Sequence, residues 1–293
     1  MHSPSKVHME GVNDMEKRGV FKSPEGRDLI RGYYNNVLNR FPLKQLYLDT
    51  SYGETFVLGA GSVDGKPLIL LHGSCSNSSA WLGDIPGLSE SYCVYSVDIP
   101  GEPGNSEDNR LGFHSDDYPR WLNEVMDGLG IERAAIIGNS MGGWLALNFA
   151  ALFPQRISAM ALLAPSGIVP PKQSFIDQTS DMASHPEKAE SARDSLLSVP
   201  GIPKEVLEFM ALVMENFNPF TGALPVLSDQ DMMKLDMPVL LIAGKDDITM
   251  DANLAAARLL EFLPKARIHL IEGPHVILGV TDILKGFLDA VIK

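Results

Sequence analysis

The chain has 293 residues, of which 45% are hydrophobic and 21% charged, so it is long enough to bury a substantial core and has an ordinary globular composition. Its formal net charge of −13 argues against a nucleic-acid partner, because phosphate binding needs clustered lysine and arginine. The apolar runs are all shorter than a membrane span requires, so the sequence predicts no segment that crosses a bilayer.

Residues 1–24 are predicted to form a flexible N-terminal tail, because the first part of this stretch lacks the apolar centre of a secretory signal. The cysteines, Cys75 and Cys93, supply neither a disulfide framework nor a metal-ligand spacing. This usage predicts free thiols, no metal site and a cytoplasmic location.

Short β-rich runs alternate with helical patterns along most of the chain. This alternation is typical of an α/β fold, in which helices cover both faces of a mostly parallel sheet. The predicted strands span 45–49, 55–58, 68–71, 94–97, 134–137, 160–163, 239–242 and 267–271. The first two are expected to pair as an antiparallel hairpin at one edge. The predicted helices span 27–39, 117–129, 143–152, 252–263 and 282–292.

The stretch between the sixth and seventh predicted strands breaks the alternation. It reads as loop and helix, with helical patterns at 186–197 and 203–217. Residues 169–235 are therefore predicted to form a helical lid. The lid would be inserted into a core domain made of residues 25–168 and 236–293.

One glycine-rich motif follows directly after the strand predicted at 134–137 and precedes a helix: Gly138-Asn139-Ser140-Met141-Gly142-Gly143. A serine at a strained strand-to-helix turn projects its hydroxyl away from the backbone, and small neighbours let the strand and helix approach closely. The helix N-terminus also offers unpaired N–H groups to negative charge. Ser140 is therefore the candidate nucleophile, although such a motif alone also occurs in ordinary tight turns.

Three further motifs follow predicted strands, where ligands bind in open α/β sheets. They are His72-Gly73-Ser74-Cys75, Gly244-Lys245-Asp246-Asp247 and Gly273-Pro274-His275. A serine hydroxyl is a weak nucleophile, so it needs a neutral imidazole to accept its proton and a carboxylate to orient that imidazole. The chain supplies these groups in the order serine, acid, histidine.

These motifs, together with Asp98-Ile99-Pro100-Gly101, resemble the α/β-hydrolase family over residues 40–293. The resemblance implies an α/β-hydrolase sheet with Ser140 as nucleophile, His275 as general base and Asp247 as the orienting acid. Asp246 remains an alternative for the acid.

The resemblance also implies an oxyanion hole that holds the attacked carbonyl oxygen through two backbone N–H groups. One belongs to Met141. The other comes from the loop after His72 and Gly73, where Ser74 is favoured and Cys75 is the alternative. His72 and Asp98 match structural residues of the family. Glu102 stands where a histidine is usual, which leaves open whether it faces the mouth of the site.

The predicted substrate pocket is mainly apolar and rests on a stripe at helical spacing within 203–217. Its candidate residues are Cys75, Phe209, Met210, Val213, Met214 and Val276. The same stripe also fits simple packing of the lid onto the core domain.

The resemblance implies a serine hydrolase that forms an acyl-enzyme, and a small or medium uncharged carboxylic ester is the predicted substrate. The triad and backbone donors suffice, so no cofactor is expected. One alternative is a carbon–carbon bond hydrolase of vinylogous diketones, because Asn139 before the nucleophile is typical there. However, residues 72–77 lack the Gly-Pro-Gly usual in that subfamily, and Arg193 is the one arginine in the lid. The other alternative is a small-molecule-binding signalling protein on the same fold.

Overall fold

The computed structural model describes residues 19–184 and 203–292. Its centre is an eight-stranded sheet with the order β1-β2-β4-β3-β5-β6-β7-β8. The strands are β1 (Lys44–Thr50), β2 (Gly53–Ala60), β3 (Lys66–Leu71), β4 (Tyr92–Val97), β5 (Ala134–Asn139), β6 (Ile157–Leu163), β7 (Val239–Gly244) and β8 (Arg267–Ile271). Strands β3 to β8 pair in parallel, whereas β2 is antiparallel to both β1 and β4. The predicted sheet and its edge hairpin are confirmed.

The helices of the described ranges are α1 (Pro24–Leu38), α2 (Ile85–Ser89), α3 (Asp117–Gly128), α4 (Met141–Leu152), α5 (Gln173–Ser184), α6 (Lys204–Asn216), α7 (Asp229–Met232), α8 (Ala252–Phe262) and α9 (Thr281–Val291). Helix α1 begins earlier than predicted, because the Ser23 side chain accepts the Gly26 N–H and Pro24 occupies the first turn. The short α2 was not predicted, since five residues show no helical period.

Side chains that alternate along the central strands fill two cores, one on each face of the sheet. Ile69 and Ile136 pack on the face that contains Trp121 and Trp144, from α3 and α4. On the opposite face, Leu70 and Ile137 belong to the cluster that α2 and α9 complete with Leu88 and Leu284. Burial on both faces explains why the parallel strands read as continuous apolar runs.

The predicted N-terminal tail includes residues 19–24, which the structure describes and partly buries. Val20 is only 4% exposed, and it shares an apolar cluster with Ile30, Val213 and Phe217. Phe21 also forms a β-bridge with Phe217. The boundary differs from the prediction because this segment is buried by a part of the chain that is distant in sequence. Residues 1–18 lie outside the described residues.

The described parts of the segment between β6 and β7 contain α5, α6 and α7, and no strand beyond the bridge at Phe217. Helix α6 matches the helix predicted at 203–217, whereas the one predicted at 186–197 lies outside the described residues. The buried residues of α6 are Leu207, Ala211 and Val213. The buried face of α6 therefore differs from the predicted stripe, since Met210 is 38% exposed.

None of the helices in the described ranges combines the length and apolarity that crossing a bilayer requires.

Helix α4 lies against the end of β3 at a distance that only glycine permits. A Cβ placed on Gly142 would lie 2.2 Å from the carbonyl oxygen of Leu71, and one on Gly138 would lie 2.4 Å from the carbonyl oxygen of Gly142. Real Cβ atoms do not come this close to backbone oxygen, so a larger residue must displace the helix or the strand. The small residues beside Ser140 are therefore required by packing.

We expect Gly142→Ala to lower the melting temperature by about 5 °C or more, because a backbone shift of this kind costs about 2 kcal/mol or more. The matched control is Gly32→Ala in α1, where an added Cβ meets nothing within 4 Å. That variant should be neutral or raise the melting temperature, since alanine favours a helix interior over glycine by about 0.5–1 kcal/mol. Thermal unfolding followed by circular dichroism measures both, and equal melting temperatures would contradict the packing argument.

Candidate active site

Ser140 lies at the turn between β5 and α4 in a backbone conformation that is rare for a residue with a side chain, with φ 51° and ψ −111°. Its N–H donates to the carbonyl oxygen of Leu163 at 2.9 Å, and its own carbonyl oxygen accepts the N–H groups of Gly143, Trp144 and Ser166. These bonds hold the strained turn, as is usual where a backbone outlier has a functional role.

The structure brings together the three residues predicted to form a triad. His275 Nε2 lies 3.0 Å from Ser140 Oγ, and His275 Nδ1 lies 2.7 Å from Asp247 Oδ2. The side chain of Asp247 is fully buried, whereas that of His275 is partly open to solvent. The neighbouring Asp246 is exposed, so the structure places Asp247 rather than the alternative acid against the histidine.

Several donors stabilise the charge on Asp247. Its Oδ1 accepts the backbone N–H and the hydroxyl of Thr249, both at 2.7 Å, and the N–H of Met250 at 3.3 Å. Burial raises the pKa of Asp247, but the hydrogen bond and charge of His275 and the two bonds from Thr249 outweigh it, so the pKa lies below its usual value. Asp247 is therefore ionised at neutral pH and able to orient His275.

The sequence analysis missed Thr249, whose hydroxyl oxygen also lies 3.0 Å from His275 Nδ1. This hydroxyl bridges the acid and the histidine and restricts both side chains. The signal for it was an acid followed two residues later by a hydroxyl residue, in the loop after a strand. A carboxylate that accepts the N–H two residues ahead forms an Asx-turn, which places that hydroxyl beside it.

The loop after β3 passes close to the nucleophile. A Cβ on Gly73 would lie 3.4 Å from Ser140 Cβ, and Ser74 follows as an exposed residue. Met141 is the first residue of α4, so its N–H has no acceptor within the helix. The N–H of Cys75 instead donates to Glu102 Oε2 at 2.6 Å. The two predicted oxyanion donors are thus near the nucleophile, and the alternative donor, Cys75, already has an acceptor.

His72 shapes this loop from a fully buried position. Its Nε2 accepts the N–H of Ile99 at 2.9 Å, so the proton lies on Nδ1, which donates to the Gly73 carbonyl oxygen at 2.8 Å. Burial lowers the pKa of His72 and favours this neutral form. Asp98 is also buried and accepts the N–H groups of Ser78 and Asn105 at 2.8 Å each. Both residues hold loop backbone, as the resemblance implied.

Glu102 does not face the mouth of the site, since it is only 3% exposed. Burial raises its pKa to about 7, although the charge of Arg110 and the bond from the Cys75 N–H act in the opposite direction. A carboxyl group in this position was not assigned a role by the sequence. The sequence signal that could have pointed to a role for Glu102 was a glutamate at a turn position where the family usually has a histidine.

The predicted pocket residues separate into two groups. Cys75 and Phe209 pack against the cluster that contains Val213. Met210 and Val276 are exposed, and Met214 is half-buried. Large apolar side chains are exposed close to the triad in sequence: Ile248, Val276 and Leu278, at 57%, 57% and 66%.

Comparison with known proteins finds a matching family model and several similar proteins. A family model described as "alpha/beta hydrolase fold" matches residues 66–200. The chain is 30% identical over 264 residues to the uncharacterized carboxylesterase nap of Bacillus subtilis (strain 168), covering 86% of this chain and 88% of the relative. The crystal structure of naproxen esterase (carboxylesterase NP) from Bacillus subtilis has a TM-score of 0.74 at 29% identity, covering 88% of this chain and 94% of that one.

A relative with different chemistry is also similar. The chain is 29% identical over 247 residues to the 2-hydroxy-6-oxononadienedioate/2-hydroxy-6-oxononatrienedioate hydrolase of Paraburkholderia phymatum. The match covers 76% of this chain and 83% of that protein.

We expect Thr249→Val to slow the reaction of Ser140 with a fluorophosphonate probe by about tenfold, because the triad acid loses a hydrogen bond worth about 1.5 kcal/mol or more. The labelling rate measured by mass spectrometry tests this. Thr179→Val is the matched control, since the Thr179 hydroxyl donates to carbonyl oxygens of its own helix, α5. Equal labelling rates for Thr249→Val and wild type would contradict the role of Thr249.

We also expect the melting temperature of the wild type to fall more between about pH 5 and pH 8 than that of Glu102→Gln. The pKa of Glu102 is raised to about 7 from about 4.3 in the unfolded chain. The folded state therefore binds this proton more tightly, and that contribution to stability is complete below about pH 4.3 and lost as the pH rises to about 7. Thermal melts across this range measure the difference, with exposed Glu132→Gln as control. Parallel curves for wild type and Glu102→Gln would show that Glu102 does not titrate in this way.

Proposed function

Because the chain belongs to the α/β-hydrolase family, we propose that it is a serine carboxylesterase that cleaves a small or medium uncharged ester through an acyl-enzyme on Ser140. The observation that carries the proposal is the array in which His275 lies within hydrogen-bond distance of both Ser140 and Asp247. The similarity to carboxylesterases over most of the chain supports the ester as substrate class.

The geometry supports the following reaction. With its proton on Nδ1 and directed at Asp247, His275 presents a free lone pair on Nε2 to the Ser140 hydroxyl. As Ser140 Oγ attacks the ester carbonyl carbon, Nε2 takes its proton and Asp247 stabilises the resulting imidazolium. Collapse of the tetrahedral intermediate transfers that proton to the leaving alcohol. A water molecule then attacks the acyl-enzyme with the same histidine as base.

The negative oxygen of the tetrahedral intermediate would be held by the N–H groups of Met141 and Ser74. Met141 N–H lies at the N-terminus of α4, where the helix dipole also favours negative charge. Ser74 is favoured over Cys75 for the second donor, because the Cys75 N–H is bonded to Glu102.

An uncharged, mainly apolar substrate fits the surroundings. The large side chains exposed beside the acid and the histidine, Ile248 and Val276, are apolar. The formal net charge of −13 also disfavours the approach of anionic molecules.

Residues 169–235 would cover this substrate as a lid. Two contacts support this role, one in each described part of the segment. Lys172 Nζ donates at 2.6 Å to the backbone carbonyl oxygen of Asp247, the residue that supplies the triad acid. Val213 of α6 lies in the apolar cluster against which Cys75 packs, next to the proposed oxyanion donor.

The second candidate is hydrolysis of a carbon–carbon bond in a vinylogous diketone. The similarity to the Paraburkholderia phymatum hydrolase and the asparagine before the nucleophile, Asn139, favour it. An ester series measured beside a vinylogous diketone decides between the two candidates.

We expect the wild type to hydrolyse p-nitrophenyl esters with an optimum at short or medium acyl chains, and Ser140→Ala to lose about 10⁴-fold in kcat or more. Ser89→Ala, at the half-buried last residue of α2, is the control and should keep full activity. Equal activity in Ser140→Ala would contradict the assignment of the nucleophile. If the wild type hydrolyses a vinylogous diketone but no ester, the carbon–carbon hydrolase replaces the esterase proposal. If it turns over neither substrate and ligands only raise its melting temperature, it is a binding protein.

A further inference from the structure

The loop that carries the proposed oxyanion donor is strained next to that donor. Cys75 has φ 57°, in the left-handed region that non-glycine residues rarely adopt. Such a conformation persists only where surrounding contacts hold it. One such contact is the hydrogen bond of 2.6 Å that the Cys75 N–H donates to Glu102 Oε2.

Ser74 therefore lies between two peptide groups, each of which is hydrogen-bonded to a buried side chain. The Ser74 N–H shares a planar peptide with the Gly73 carbonyl, which points the opposite way and accepts the Nδ1–H of His72. The next peptide contains the Cys75 N–H, which Glu102 holds. Because each peptide is planar, these two bonds set the dihedral angles on both sides of Ser74 and hence the direction of its N–H.

Glu102 is itself fixed by the turn after β4. Its N–H donates to the carbonyl oxygen of Ile99 at 3.2 Å, and its carbonyl oxygen accepts the N–H of Gly104 at 2.7 Å. With both backbone groups bonded and the side chain 3% exposed, the carboxylate has little freedom to leave the Cys75 N–H.

The charged and titratable groups that act on this carboxylate are Arg110, Tyr118 and the Cys75 thiol. Arg110 supplies the compensating positive charge. Its guanidinium donates to the carbonyl oxygens of Gly101 and Asn218 and lies over the Phe217 ring at 5.5 Å. The arginine is thereby held between the turn that carries Glu102 and the end of α6.

We propose that Glu102 is a positioning residue of the hydrolase, which aims the Ser74 N–H at the oxyanion by holding the neighbouring Cys75 N–H. The inference rests on the proposed function of Ser140 and Ser74. Glu102 acts through the loop and touches no reacting atom.

The bond is strongest when the carboxylate is charged, because an ionised acceptor roughly doubles the strength of a hydrogen bond from an N–H. Burial raises the pKa of Glu102 to about 7. The charged form is therefore lost as the pH falls through about 7, and the hold on the loop weakens in the same range. Glu102→Gln keeps the size and an acceptor oxygen but is uncharged at every pH.

The test compares wild type, Glu102→Gln and the control Glu132→Gln, an exposed glutamate before β5. With p-nitrophenyl butyrate at pH 8, we expect Glu102→Gln to lower kcat by about tenfold or more. The reason is that misplacing an oxyanion donor has an effect close to that of removing the donor. KM should change less than about twofold, since the donor acts mainly on the transition state. The pH profile of kcat should lose a component near pH 7 in Glu102→Gln alone.

Amide hydrogen exchange of the peptide 72–81 gives a second readout that does not need turnover. We expect faster exchange of this peptide in Glu102→Gln, with unchanged exchange in the peptides of β5 to β8. If the wild type hydrolyses no ester, the proposed function fails, whereas the exchange comparison still decides whether Glu102 holds the loop.

Three results would overturn the inference. The first is unchanged exchange of 72–81 in Glu102→Gln. The second is faster exchange there with wild-type kcat and pH profile, which would show that the hold does not affect catalysis. The third is faster exchange throughout the sheet together with loss of a cooperative thermal transition, which would make Glu102 a general stability residue.

Discussion

The close approach of α4 to the end of β3 is the constraint on which the rest of the site depends. Gly142 and Gly138 permit it, and the turn between them places Ser140 at φ 51° with its carbonyl oxygen bonded to three backbone N–H groups. The same approach puts the N-terminus of α4 beside the loop after β3. A nucleophile, a helix N-terminus and the Ser74 loop therefore meet in one place because two backbones touch.

The parallel sheet brings the remaining groups to the same edge. Strand β3 lies on one side of β5, and β6, β7 and β8 follow on the other. The loop after β3 thus reaches Ser140 from one direction, whereas Asp247 and His275 reach it from the other. In the proposed reaction, this arrangement separates the groups that would stabilise the developing negative charge from those that would move the proton, so each set is held by its own hydrogen bonds.

Two buried acids beneath the site show how the local donors decide the charge of a carboxylate. Asp247 accepts bonds from the histidine and twice from Thr249, and these outweigh burial and lower its pKa. For Glu102 burial prevails over Arg110 and the one Cys75 N–H, and its pKa rises to about 7. The first acid is therefore ionised at neutral pH. The second changes charge near neutral pH, so the stability contribution and the positioning role proposed for it are expected to depend on pH.

The sequence by itself predicted the strands, the longer core helices and the candidates Ser140 and His275, because apolar runs and motif order are local properties of the chain. It left Asp246 and Asp247 as alternatives, and the structure places Asp247 against His275. Only the tertiary structure decided that residues 19–24 pack against Phe217 rather than belong to a tail. It also decided which face of α6 is buried. It also decided the bond between Cys75 and Glu102, which lie 27 residues apart, and the place of Thr249 between acid and histidine. A single buried hydrogen bond between distant residues leaves no periodic pattern in a sequence, and its partners become neighbours only when the sheet places their loops at one edge.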